Sequence, residues 1–365
     1  MATKSNDQLL FIGTYTRGGK SKGIYSYRMD GRTGALKALS SASGLTNPSF
    51  VCLDPTNRYL YAVSEVESND GVPGGAVSSF KVDRGSGRLQ LMNTQSTKGP
   101  GPCHVTVDAT GKLAIVSNYG GGSVAVFPIA GDGSLEEASQ FIQHEGHSGV
   151  NERRQAGPHA HSATIDHQNR YVYIADLGKD KIMIYELDLA GRRIKPASTP
   201  WIETAPGAGP RHFDFHSNHK FAYAINELGN TIALYAYDSG SGGLKELQTV
   251  PTLPASFNGQ NSTADIHVHP SGKFVYGSNR GHDSLVIYRI SENDGRMTYV
   301  GHQPTGGKTP RNFAIDPSGM FAFAENQNSD TIVTFKIDSG TGKLSETGQV
   351  TEVPAAVCIK FAPVG

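Results

Sequence analysis

The sequence predicts an all-β protein, a seven-bladed β-propeller of four-stranded antiparallel blades. Three observations carry this expectation. A strand–turn–strand segment recurs along the chain, its copies are spaced as four-stranded units would be, and one copy is split between the two ends. The six intact copies are NPSFVCLDPTNRYLYAVSE, GPCHVTVDATGKLAIVSNY, HAHSATIDHQNRYVYIADL, GPRHFDFHSNHKFAYAINE, STADIHVHPSGKFVYGSNR and TPRNFAIDPSGMFAFAENQ. The seventh joins VPAAVCIKFAP near the C-terminus to LLFIGTY near the N-terminus. Self-similarity at a period of this size is the signature of a repeat architecture.

Each copy leads with Pro48, Pro102, Ala160, Pro210, Thr263, Pro310 or Pro354, at steps of 54, 58, 50, 53, 47 and 44 residues. The first strand alternates strictly. Val51, Val105, Ala163, Phe213, Ile266, Phe313 and Val357 stand three residues after the lead. Smaller or polar residues follow, such as Cys52, Thr106, Asp214 and His267. A period of two means a strand with one face well buried. A polar turn follows, anchored by Asp54, Asp108, Asp166, His216, His269 or Asp316. The second strand leaves that turn. A third strand comes next, as in SVAVFPI, KIMIYEL and TIVTFKI. A Gly- and Ser-rich hairpin such as DSGSGGLKELQ leads to a short outer strand. Radial repetition of such sheets leaves only short, protected edges. The split copy predicts closure, with the N- and C-terminal strands sharing one blade. Residues 1–365 are expected to form a single propeller domain.

Composition narrows the function classes. Lys and Arg (33) balance Asp and Glu (33), so no charge excess points to nucleic acid or a membrane surface. No apolar run is long enough to span a bilayer, and MATKSNDQ lacks the apolar stretch of a leader. Three cysteines, Cys52, Cys103 and Cys358, do not make a disulfide framework. These features predict a reducing, cytoplasmic setting.

The antiparallel hairpin puts the start of each first strand beside the end of each second strand, on one face of the disc. That mouth gathers Ser49, Cys103, His104, His161, Ser162, Arg211, His212, Asp265, Arg311 and Asn312 from strand starts. Strand ends add Tyr15, Glu65, Tyr119, Glu227 and Arg280, among others. Thr14, Ser64, Asn118, Asp176, Asn226, Asn279 and Asn326 recur at one repeat position and are assigned to holding blades together. Ionisable residues that break the repeat mark the candidate site. They are Arg211, Glu227, Arg280 and Arg311, with His159 and His161 from the one unit that has an expanded lead-in. The insertion QHEGHSGVNERRQAGPHAH is expected to reach over the mouth and deliver Arg154, Gln155, His159 and His161. It carries no HExxH or Cys/His ligand spacing, so no metal and no cofactor are expected. Cys103 beside His104 is expected to be a small buried residue rather than a nucleophile.

FIGTYT, RRQAGPHAH, GPRHFDFH with INE, and HVHPSGKFVYGSNRG together resemble the seven-bladed lactonase family. That family includes propeller-type 6-phosphogluconolactonases and the fungal carboxy-cis,cis-muconate lactonizing enzyme. The resemblance runs through all seven units. It implies metal-independent lactone chemistry at the channel mouth, with catalytic roles for His159 or His161, Arg211, Glu227 and Arg280. Glu227 or a histidine would be base or acid, and Arg211 and Arg280 would stabilise the oxyanion. Arg154, Gln155, His104, His212, Arg311 and Asn312 would bind substrate, arginines suiting a phosphate. The expected activity is hydrolysis of 6-phospho-D-glucono-1,5-lactone, so the expected partner is a small anionic sugar lactone. The alternatives are a muconate cycloisomerase, a calcium-dependent sugar lactonase and a non-catalytic interaction platform.

Overall fold

A computed structural model of the chain describes residues 6–69 and 71–365. Residues 1–5, on which part of the leader argument rests, lie outside the described residues. Seven four-stranded antiparallel sheets form the seven blades. Blade 1 comprises Gln8–Thr14, Ile24–Met29 and Leu36–Ala42, and the C-terminal strand Ala356–Pro363 is its innermost member. Gln8 pairs with Pro363 and Ile12 with Ile359, which closes the ring between the two chain ends. The inner strands of blades 2 to 7 are Val51–Leu53, Pro102–Val107, Ala160–Ile165, Pro210–Phe215, Ser262–Val268 and Pro310–Ile315. Each inner strand contacts the next around a central channel. The described residues contain one short 3-10 turn, Gln327–Ser329, and no helix long and apolar enough to cross a membrane.

The alternation dictates the packing. Val105, Ala163, Phe213, Ile266 and Phe313 are buried between neighbouring sheets, where each blade's second and third strands meet the next blade. A tyrosine latch repeats through this interface. The hydroxyls of Tyr61, Tyr173, Tyr223 and Tyr276 donate to the carbonyls of Gly133, Gly242, Gly295 and Gly342 in the following blade. These hairpin glycines have positive φ, and a Cβ on Gly133 would lie 2.3 Å from the Tyr59 ring. Only glycine meets both demands.

The turn anchors behave as their chemistry requires. Asp54 Oδ1 accepts the amides of Arg58 and Tyr59, both at 2.7 Å. His216 and His269 replace the aspartate with Nδ1 acceptors for the amides of Asn218 and Ser271. Their Nε2 atoms then donate to Gly272 and Gly319 of the next blade, 2.8 and 2.9 Å away. Some of the recurrent polar residues at strand ends join blades, whereas the side chains of Thr14 and Asn226 bond within their own blades. The side chains of Asn118, Asn279 and Asn326 donate to Thr97, Thr252 and Thr305, which follow the outer strand of the preceding blade.

One feature of the inner strands is invisible in the repeat. Pairing steps from Pro102 to His104, Ala160 to Ser162, Pro210 to His212 and Pro310 to Asn312. Cys103, His161, Arg211 and Arg311 are therefore bulged out of the ladder. A bulge bends the strand and re-aims its side chain. Two successive residues, such as Arg211 and His212, can then both serve the channel.

Candidate active site

The bulged residues open onto a cavity of about 370 Å³ at one face of the ring. Its wall comprises Glu65, Cys103, Tyr119, Arg154, His161, Glu227, Ser262, Arg280 and Arg311. A narrow extension into the channel adds Tyr15, Ser49, Arg211, His212 and Asn312.

Glu227 is the electrostatic centre. Its carboxylate accepts from Arg154 Nη2 at 2.6 Å and Arg211 Nε at 2.9 Å and forms an ion pair with Arg280 Nη2, 2.9 Å away. The three guanidiniums come from the 143–161 insertion, the blade 5 inner strand and the blade 6 second strand. Burial alone would raise the Glu227 carboxyl, but Arg280, Arg211 and Arg154 outweigh it and hold the group far below the usual carboxylate range. A carboxylate so stabilised is a poor proton acceptor. Its carboxylate oxygens are engaged by cations, which leaves the choice between Glu227 and a histidine as base to functional test.

Arg211 is buried and also donates to the Ala264 carbonyl at 2.5 Å and to His212 Nε2 at 3.2 Å. His212 Nδ1 in turn donates to Asp265, 2.6 Å away. Asp265 also accepts from His267 and the Asn312 amide. Burial and Arg211 lower the His212 pKa to about 4 despite Asp265. Burial, Arg211, His212 and Arg311 hold His161 well below the usual histidine value, so its ring is neutral. His161 Nδ1 lies 3.8 Å from the Cys103 sulfur. Burial pushes the Cys103 thiol far up, so it is not a nucleophile. Arg280 is lowered to about 10 by burial, with Glu227 opposing.

The insertion does reach the mouth, but it delivers fewer groups than expected. Arg154 bonds Glu227 and the Tyr119 hydroxyl. Gln155 points inward instead. It is fully buried and donates to Leu177 O and Asp180 Oδ1, which pins the loop. His159 stacks on Tyr119 and bonds its carbonyl at 2.8 Å, outside the cavity wall. Between the two histidines, the cavity contains His161. His104 is also displaced from the expected position. Its ring packs at a tilt against Phe50 and lines a second chamber of about 340 Å³ in the channel, with His267 and Lys360. His212 and Asn312 touch both spaces. Sequence reasoning placed Glu65 and Tyr119 at the mouth without selecting them. Glu65 carried a signal, since it breaks the repeat at the position that Glu227 occupies. Among the described residues no group of three metal-ligating side chains converges.

Gly178 fixes the loop against blade 4, and a Cβ there would lie 1.9 Å from the Gly157 carbonyl oxygen. Gly178→Ala is expected to push the Arg154 loop outward. The kcat/KM of the reaction at this site should fall by roughly 10²-fold, the scale of an ångström-sized misplacement. Steady-state kinetics beside a melting curve check this.

Residues 9–361 match the family described as lactonase, seven-bladed beta-propeller. A 6-phosphogluconolactonase of Bacillus subtilis (strain 168) is 37% identical over 357 residues, covering 96% of this chain and 97% of that protein. The crystal structure of a putative 6-phosphogluconolactonase from Bacteroides fragilis NCTC 9343 superposes with a TM-score of 0.92 at 36% identity, covering 99% of both chains. The periplasmic gluconolactonase of Pseudomonas aeruginosa superposes with a TM-score of 0.92 at 34% identity, covering 98% of this chain and 100% of that one.

Proposed function

The chain belongs to the seven-bladed β-propeller lactonase family and is a lactone-hydrolysing enzyme, and we propose that its substrate is 6-phospho-D-glucono-1,5-lactone, opened to 6-phosphogluconate. The observation that carries the substrate is the charge of the mouth. Arg154, Arg211, Arg280 and Arg311 gather there with two carboxylates, Glu227 and Glu65, leaving an excess of positive charge. A phosphate monoester carries close to two negative charges at neutral pH.

Arg154, the most exposed of the four, anchors the phosphate at the rim. Arg280 and Arg311 sit deeper in the wall and stabilise the oxyanion that forms when water adds to the lactone carbonyl. Glu227 is a positioning residue that aims Arg154, Arg211 and Arg280. Arg211, His212, Asp265 and Asn312 form the buried support behind them. His161 offers a neutral ring to a sugar hydroxyl. Residues 1–365 act as one domain. A phosphorylated substrate suits a cytoplasmic location.

Purified protein is expected to consume freshly generated phosphorylated lactone far above the spontaneous rate. Its kcat/KM should exceed that for plain glucono-1,5-lactone by roughly 10²-fold, the worth of two charge-assisted bonds. No acceleration with either lactone would sink the reading. Equal rates would move the substrate to an unphosphorylated sugar lactone. Activity only on muconates, followed by ultraviolet absorbance, would move it to cycloisomerisation.

A further inference from the structure

A hydrolase needs a proton acceptor beside the attacking water, and the arginine clamp makes Glu227 a poor one. His161 is poorly suited as well. It lies buried between Arg211 and Arg311, which disfavour its protonated form. The other carboxylate of the cavity wall is Glu65, which follows the second strand of blade 2.

Glu65 contrasts with Glu227 in its partners. The Tyr15 hydroxyl donates to Oε1 and Oε2 at 2.9 and 2.8 Å, and the Ser49 hydroxyl donates to Oε2. Both donors are uncharged. Glu227 is clamped by three guanidiniums, whereas no ion pair to Glu65 is formed among the described residues. Its backbone amide is fixed by the Asn47 carbonyl, so the side chain springs from a rigid strand end. Arg311 shares the cavity wall with both Glu65 and Glu227 and interacts electrostatically with each. The charged and titratable groups that share the pocket walls with Glu65 are Tyr15, Cys103, Tyr119, Arg154, His161, Arg211, His212, Glu227, Arg280 and Arg311, and the Arg17 guanidinium lies 4.3 Å from the Tyr15 ring.

We propose that Glu65 is the general base of the hydrolysis, a role that rests on the lactonase reading above. The Glu65 carboxylate takes a proton from water as the water oxygen bonds to the lactone carbonyl carbon. The carbonyl electron pair moves to oxygen, facing the guanidiniums. Collapse of this adduct breaks the bond from carbon to the ring oxygen. The leaving alkoxide receives the proton held on Glu65, which restores the carboxylate. The new carboxylic acid then ionises to solvent. No other reactant is consumed. Tyr15 and Ser49 are positioning residues that orient the carboxylate.

The test compares Glu65→Gln with His161→Asn in pre-steady-state and steady-state assays across pH 5 to 8, with spontaneous hydrolysis subtracted. Glu65→Gln keeps the shape of the side chain and removes its basicity. It is expected to lower kcat by about 10²–10⁴-fold with KM within a few-fold. The loss of kcat should be larger in Glu65→Gln than in His161→Asn. Calorimetry should show that Glu65→Gln binds 6-phosphogluconate at least as tightly as wild type, because a carboxylate that repels the product has gone. Glu65→Asp should recover part of kcat. A larger loss of kcat in His161→Asn than in Glu65→Gln would overturn the proposal. So would a kcat within threefold of wild type. A loss of both kcat and product binding would also overturn it, assigning Glu65 to binding. Failure of the lactonase reading is distinguishable, because wild type itself would then be inactive.

Discussion

Glu227→Ala is expected to lose roughly 10³-fold in lactonase kcat/KM and about 3–5 kcal/mol of stability, the scales for losing an electrostatic site element and for breaking a buried ion pair. Both losses have one cause. Three guanidiniums converge on this carboxylate, and Arg211 among them is almost wholly buried. Without the anion they repel one another and turn away from the cavity. Steady-state kinetics and thermal unfolding on the same sample check the two effects together. Glu227→Gln should retain the shape and still lose most of the rate, since its amide cannot neutralise cations. The pH dependence has a definite sign. The Glu227 pKa is depressed in the folded state, so its stabilisation is fully present above the unfolded value of about 4.3 and is lost as pH falls toward the depressed value. Full activity together with an unchanged melting temperature in Glu227→Ala would show that the clamp does not organise the site.

Glu325→Gln is expected to stabilise the protein at pH 8 and to leave it nearly unchanged at pH 4. Glu325 is fully buried in the second strand of blade 7, and neither carboxyl oxygen has a hydrogen-bonded partner among the described residues. Burial, reinforced by Asp265, pushes its pKa well above the usual value, with Lys360 and the amides of Cys358 and Ile359 opposing. The carboxyl therefore stays protonated in the folded protein and ionises on unfolding. Above about pH 4.3 the unfolded state holds fewer protons, so wild-type stability falls by about 1.4 kcal/mol per pH unit until the raised pKa is reached. Glutamine has no such slope. The buried histidines His104, His161 and His212 act in the opposite sense, because their folded pKa values are lowered and their contribution is lost as pH drops below about 6.5. That background is common to both proteins and cancels in the difference. Denaturant titrations at pH 4, 6 and 8 measure it, and a difference independent of pH would show that Glu325 is ionised in the folded ring.

Most of the fold is legible in the repeat. Strand alternation located the buried face at Val105, Phe213 and Phe313, and the split copy foretold the pairing of Ile12 with Ile359. Mouth membership was legible too, because an antiparallel hairpin must bring Arg211 and Glu227 to one end of blade 5. The roles were not legible. Gln155 and His159 share a short segment with Arg154, yet irregular backbone gives no period from which their directions could be read. His104 and His161 hold nearly equivalent repeat positions and still serve different chambers, because His161 sits on the bulge and His104 follows one.

The sequence by itself determined the closed ring of seven blades and the ionisable residues that crowd one mouth, since both follow from local periodicity and hairpin geometry. Only the tertiary structure decided which charges are spent on one another. Arg154 and Glu227 lie 73 residues apart and His212 and Asp265 lie 53 apart, and each pair meets across a blade interface. Whether a carboxylate is clamped like Glu227, bonded by hydroxyls like Glu65 or left unpaired like Glu325 depends on distances of a few ångströms between strands. The repeat specifies the order of those strands, while bulges and packing set the distances, and the distances control protonation.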